Sequence, residues 1–226
     1  MDVLKIVLTL AGLLVSLVIH EQMHARVAFW LGDPTGKNAN RFSWNPIHHL
    51  DPFMSLVLPA LLYYASRGQF MFGGAKPCPI NAMNFRNPSL GMCLSAAAGP
   101  LSNYALALLG FGVCVALYHA VPPAVVADGI LTPNGYFFVS FVVSNVVLGT
   151  FNLVPIPPLD GSRILRHFSP REVQAALDAI EPYGLILVMA FVYFGSSAFI
   201  QPALELCYRA FWEATGPAFH RALGAM

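Results

Sequence analysis

Four stretches of this chain are apolar over roughly the length that crosses a bilayer, and that restricts the available folds before any motif is read. They run over about 3–31, 91–119, 136–155 and 183–200, and about 20 apolar residues are enough to span the hydrocarbon. Only 10% of the residues are charged, against 57% hydrophobic; soluble domains carry about a quarter charged, so lipid must be part of the solvent. Lipid offers no hydrogen bonds, so each crossing segment has to satisfy its own backbone as a helix. The expected fold is therefore an all-α polytopic membrane protein, a single integral membrane domain over 1–226. A three-helix core (3–31, 91–119, 136–155) is joined by a further helix at about 183–200. The tail 203–226 mixes Leu204, Leu206, Phe211 and Trp212 with Glu205, Arg209 and Glu213, the composition of an interfacial helix. The run Phe53–Ala65 is shorter and holds Pro59, so it reads as a re-entrant or kinked element.

Composition also excludes partners and covalent frameworks. A net charge of +1 creates no basic field, so nucleic acid is not an expected partner and the bilayer is. The four cysteines (Cys78, Cys93, Cys114, Cys207) form no CxxC pair and read as small apolar fillers. The first nineteen residues lack a small-x-small cleavage site, so they read as a retained membrane helix rather than a leader.

Charge asymmetry predicts orientation. Lys37, Arg41, Arg67, Lys76 and Arg86 lie within 32–90, and Arg163, Arg166 and Arg171 within 160–180, whereas 120–134 has no Lys or Arg. The positive-inside rule makes the first two connections cytoplasmic and the third external. The three core helices then run inward, outward and inward, in a cell membrane, with Lys5 at the outer end as the dissenting charge.

His20-Glu21-Gln22-Met23-His24 is an HExxH sequence. On a helix, i and i+4 bring both imidazoles to one face within reach of one ion, and the adjacent glutamate can accept a proton from an activated water. With 7 His in the chain, composition alone yields about 0.005 such matches per chain, so accident is a poor explanation. The motif follows Leu13-Leu14-Val15-Ser16-Leu17-Val18-Ile19, which sets its ionisable groups at membrane depth, where polar groups are expensive and commonly functional. The competing reading is a polar cluster that only joins helices.

Hydrolytic zinc sites usually have three protein ligands and one open position. Asp160 is the candidate third ligand. Pro155, Pro157 and Pro158 must end the preceding helix, and Gly161 permits a turn that aims the carboxylate. A plain turn or cap residue is the alternative.

These motifs together resemble the site-2 protease family of intramembrane zinc metalloproteases: HExxH in a first core helix, Ala98-Gly99-Pro100-Leu101-Ser102-Asn103 in a second, and Asn152-x-x-Pro155-x-Pro157-x-Leu159-Asp160-Gly161 after a third. Gly32-Asp33-Pro34-Thr35, Leu50-Asp51-Pro52-Phe53 and Ala75-Lys76-Pro77-Cys78-Pro79-Ile80-Asn81 are similar to its small prokaryotic branch without PDZ or CBS domains, with Cys78 where an aliphatic residue is expected. The resemblance implies one Zn2+ per chain held by His20, His24 and Asp160, with Glu21 as catalytic base and a transmembrane protein as substrate. It further implies that Asn152, and less directly Asn103, assist the substrate or the oxyanion.

A transmembrane substrate hides its peptide bonds in its own helix and has to unwind before hydrolysis. Pro77, Pro79 and Asn81 mark a stretch whose alternating prolines bar helix. It serves either as an edge for an added substrate strand or as a plain cytoplasmic loop. Asn145 and Asn152, seven residues apart on one helix face, either line the site or bond neighbouring helices. His48 and His49 read as a surface loop rather than a second metal site, His119 and His220 as interface residues. The competing function is a non-enzymatic metal-binding or metal-transporting membrane protein, although transporters usually show polar paths and inverted repeats.

Overall fold

The computed structural model describes residues 3–52, 64 and 76–224. The element expected over Phe53–Ala65 lies, apart from Tyr64, outside the described residues. The main helices are α1 (Val3–Trp30), the short α2 (Thr35–Asn38), α3 (Pro88–Ala120), α4 (Pro133–Asn152), α5 (Asp160–Phe168), α6 (Arg171–Ile180), α7 (Gly184–Phe194) and α8 (Ser196–Leu223). Val3–Trp30, Pro88–Ala120, Pro133–Asn152 and the combined stretch Arg171–Phe194 are each long and apolar enough to cross a membrane. The protein is all-α and polytopic apart from a hairpin of two short antiparallel strands, β1 (Val126–Ala127) and β2 (Ile130–Leu131). Asp128 and Gly129 join the strands, both at positive φ, as a two-residue Asp-Gly turn demands.

Proline placement explains several boundaries. Pro88 and Pro133 open α3 and α4, where the missing N–H costs nothing, so both helices begin before their apolar runs do. Asn87 precedes the first and its Oδ1 accepts from Leu90 N at 3.2 Å, a cap. Helix α4 stops at Asn152, three residues before Pro155, because the residue preceding a proline is pushed out of the helical region. The C-terminal helix starts at Ser196 and runs through Pro202 to a break at Gly216 (φ 74°).

The chain divides into two units. One comprises Met1–Ser16, Pro100–Asn152 and Phe194–Met226; the other comprises Leu17–Gly99 and Leu153–Tyr193.

In the first unit, helix register is readable from side-chain contacts. Lys5 Nζ lies 5.4 Å from the centre of the Tyr136 ring, Thr9 and Tyr136 share a hydroxyl hydrogen bond of 3.2 Å, and the Asn145 amide donates to Ser16 Oγ at 2.8 Å. Helices α1 and α4 thus advance together and are parallel. Asn103 donates to Asn145 Oδ1 at 2.9 Å, whereas Gly110 faces Phe141 and Val142, so α3 runs antiparallel to α4. This is the alternation expected of the three core helices. Phe211 and Phe219 of α8, stacked at 5.5 Å, are buried with Cys114, Val125, Val139 and Val142. Gly135 is required here, since a Cβ would stand 2.2 Å from the Val125 carbonyl oxygen.

In the second unit, Asp33 organises the connection after α1. Its carboxylate accepts from Thr35 N (3.1 Å), Asn81 N (2.8 Å) and Asn84 Nδ2 (2.6 Å). Burial alone would raise its pKa, but these donors hold it below the usual carboxylate value. Arg41, 2% exposed, donates to the carbonyls of His48 (2.7 Å) and Pro77 (3.0 Å). The expectation of a surface loop at His48 and His49 needs correcting in part. His48 is exposed, but His49 is fully buried, its Nε2 bonded to the Ser43 carbonyl at 2.7 Å. That bond satisfies one ring nitrogen, whereas the buried Nδ1 has no partner among the described residues.

Candidate metal centre

The HExxH residues occupy one continuous stretch of α1, and helical periodicity does what the spacing requires. His20 and His24 are each 5% exposed, with Nε2 atoms 3.0 Å apart. Asp160 Oδ2 lies 3.3 Å from both. All three residues belong to the second unit. Among the described residues this is the one His/Cys/Asp/Glu group with metal-site geometry.

Asp160 reaches the histidines because of what precedes it. Leu153 and Val154 fold back against Gly161, where a Cβ would stand 2.2 Å from the Leu153 carbonyl oxygen. No other residue type fits that approach. Asp160 then opens α5 as its first residue, with Leu159 as the N-cap, where a carboxylate also complements the helix dipole. The sequence pointed to a turn aiming the side chain; the structure adds that the turn is the start of a helix.

The arrangement passes a test for zinc. Ligand atoms about 2.0–2.1 Å from a tetrahedral zinc stand about 3.3–3.4 Å from one another, close to the separations of the donor triangle, 3.0 and 3.3 Å. The His24 orientation agrees. Its Nδ1 lies 2.7 Å from the Ser95 carbonyl oxygen, which can only accept, so Nδ1 carries a proton and Nε2 is the nitrogen turned toward Asp160 Oδ2, 3.3 Å away. Burial would lift the Asp160 pKa, but the two imidazoles outweigh it and hold the carboxyl well below the usual range. Gly99 completes the cradle: a Cβ there would lie 2.4 Å from His24 Nε2 and 2.7 Å from His20 Cε1.

Glu21 sits beside the ligands with Oε2 buried and without a hydrogen-bond partner among the described residues. An unsatisfied buried carboxylate oxygen is costly, and it is the group a general base requires. Gln22 is turned elsewhere, donating to the Ser43 carbonyl at 2.9 Å and accepting from Arg26 at 3.0 Å.

A similarity search places this geometry. The profile described as Peptidase family M50 matches residues 124–194, a span that includes Asn152 and Asp160. A candidate zinc metalloprotease of Bacillus subtilis, YwhC, is 41% identical over 177 residues, covering 78% of this chain and 76% of the relative. The chain belongs to peptidase family M50. A candidate zinc metalloprotease of Mycolicibacterium smegmatis, Rip2, is 34% identical over 204 residues, 88% of this chain and 69% of the relative. The Rip2 of Mycobacterium tuberculosis is 29% identical over 183 residues, 81% of this chain and 65% of that protein. No solved structure matches. Family and helices together make this M50 member a multi-pass membrane metalloprotease.

The remaining sequence-predicted residues are distributed as follows. Pro77, Pro79 and Asn81 lie in the second unit, on a stretch without helix or assigned strand before a short helical turn at Ala82–Asn84. Asn103 and Asn152 belong to the first unit. Asn103 is fully buried and bonded to Asn145; the Asn152 amide donates to the Leu148 carbonyl one turn back at 2.9 Å. Sequence reasoning missed Asp33, Arg41 and Ser95. Asp33 left a trace, since Asp-x-Thr is a local capping pattern; Ser95 left none, because any residue supplies a carbonyl.

Proposed function

We propose that this M50 member is a site-2-type intramembrane zinc endopeptidase, hydrolysing peptide bonds within or next to transmembrane segments of membrane-protein substrates. The observation that carries the reading is the convergence of His20, His24 and Asp160 on one point, beside an unpartnered Glu21 oxygen, in a helix long and apolar enough to cross a membrane. One zinc per chain is the stoichiometry that a single donor triangle accommodates.

Bound zinc would supply Lewis acidity, for activating water and polarising the scissile carbonyl. The chain's own residues do the rest. Ser95 orients His24 through Nδ1, and Gly99 leaves room for both imidazoles. Glu21 Oε2 accepts the proton of the attacking water and returns it to the leaving amine, the two duties of a general base that becomes a general acid. The family resemblance adds Asn152 as a candidate donor to the developing oxyanion, whereas Asn103, fully buried, gives its amide to Asn145. Pro77, Pro79 and Asn81 keep out of helix the stretch along which an unwound substrate lies extended. The basic connections 32–90 and 160–180 support a site on the cytoplasmic side of a cell membrane.

The test uses purified protein in detergent with Leu-rich transmembrane peptides that differ only by a central Asn-Pro helix break. Cleavage confined to the broken peptide, absent in Glu21→Gln, and accompanied by unchanged zinc in that variant, is the expected result. Zinc-dependent metal flux into vesicles without any cleavage would favour the transport reading instead.

A further inference from the structure

The stretch 77–81 is gripped at both ends by buried charged side chains, and the main chain of Cys78 and Ile80 between them has no hydrogen bond among the described residues. At one end the Arg41 guanidinium donates to the Pro77 carbonyl at 3.0 Å; at the other the Asp33 carboxylate accepts from Asn81 N at 2.8 Å. Arg41 is 2% exposed and Asp33 0%, so neither is an incidental surface contact. Asn81 is extended (φ −108°, ψ 106°), and prolines 77 and 79 are confined to φ near −65°.

In an extended chain the main-chain groups of alternate residues face opposite edges. Carried back from the extended Asn81 at strand periodicity, residues 77, 79 and 81 share one edge. Prolines remove two of its N–H groups, and Arg41 and Asp33 occupy the Pro77 carbonyl and the Asn81 N–H. Residues 78 and 80 form the other edge, and their N–H and C=O groups have no hydrogen bond among the described residues. That is the donor and acceptor pattern an antiparallel strand needs. The Cys78 side chain and the motif helix meet at Gly36: a Cβ there would touch both Cys78 Sγ, at 3.2 Å, and Ala25, at 3.0 Å, and Ala25 directly follows His24.

We propose that Arg41 and Asp33 are positioning residues that clamp this segment so that the main chain of Cys78 and Ile80 pairs with the unwound substrate. The inference rests on the proteolytic reading above and assigns its substrate a register. Arg41, reaching two carbonyls at once, also ties the edge to the loop at His48.

The test is binding rather than turnover. Zinc-loaded full-length Glu21→Gln protein in detergent is titrated into a fluorescein-labelled Val/Thr-rich peptide and followed by anisotropy. A set of peptides carries N-methyl groups at successive positions. Adding Arg41→Ala is expected to weaken binding about tenfold, the loss of one charged hydrogen bond, with zinc content unchanged. Arg41→Lys, which can satisfy one carbonyl, recovers part of it. N-methylation weakens binding at alternate peptide positions only. Ile80→Pro deletes one donor from the open edge without touching either clamp, weakens binding similarly, and serves if Arg41→Ala fails to fold. In the cleaving parent, Arg41→Ala raises KM and leaves kcat. Equal loss at every N-methyl position, or full affinity in Ile80→Pro, overturns the proposal. Absence of cleavage in the parent would sink the protease reading while leaving the anisotropy pattern to decide the clamp on its own.

Discussion

Gly99 is the residue on which the metal centre turns, and its contribution is the atom it lacks. Two effects of Gly99→Ala oppose each other. Alanine is a better helix former by about 1 kcal/mol, which favours α3. Its Cβ, however, would enter the space of His24 Nε2 at 2.4 Å, far inside contact distance, and a bound metal would leave neither histidine free to give way. The site should lose. Zinc affinity is expected to fall about 10–100-fold, the usual cost of disturbing what holds a ligand, with far-UV circular dichroism unchanged. Zinc per chain after dialysis against a chelator series measures this, and wild-type retention would refute it. The same residues show what a sequence can and cannot declare. His20, His24, Glu21 and Asp160 were legible because only those side-chain types do that chemistry. The Ser95 carbonyl that orients His24 was not, and neither was the burial of His49, whose partner is again a backbone carbonyl.

At the scale of helices, hydropathy located the three core spans, and prolines shifted their ends; the stretch expected as one helix over 183–200 instead divides at Gly195 between α7 and α8. The opening residues Pro88 and Pro133 extended α3 and α4 toward their N-termini, and Pro155 withdrew the end of α4 to Asn152. What apolarity could not show is how the helices are joined, since lipid is as apolar as leucine and provides no drive between them. In the first unit that task falls to a buried polar chain, Ser16 to Asn145 to Asn103, one residue from each of α1, α4 and α3. The sequence had left Asn145 open between lining the site and bonding helices; the structure shows it bonding helices. A double-mutant cycle on Asn103→Ala and Asn145→Ala, read by unfolding in mixed detergent micelles, should give a coupling of about 0.6 kcal/mol and not more than about 1.7. Strict additivity would mean that the hydrogen bond at 2.9 Å contributes nothing to holding α3 against α4.

For the molecule as a whole, the open quantity is which side of the membrane each connection occupies, and geometry with charge nearly decides it. Parallel α1 and α4 with antiparallel α3 put the start of α1 on the same side as the hairpin connection before α4. That connection, 120–134, has no Lys or Arg, whereas Arg163, Arg166 and Arg171 follow α4. Lys5 argued weakly for the opposite orientation, but its ammonium lies over the Tyr136 ring, a contact of about 0.5–1 kcal/mol at exposed sites that partly satisfies the charge where it stands. Three arginines retained on one side therefore outweigh one lysine at the other. Alkaline phosphatase fused after Gly129 is expected to be active in a bacterial host and inactive after Phe168, with a green fluorescent protein reporter giving the reverse. The opposite reporter pattern would put the connection 160–180 outside and make the positive-inside argument wrong for this chain.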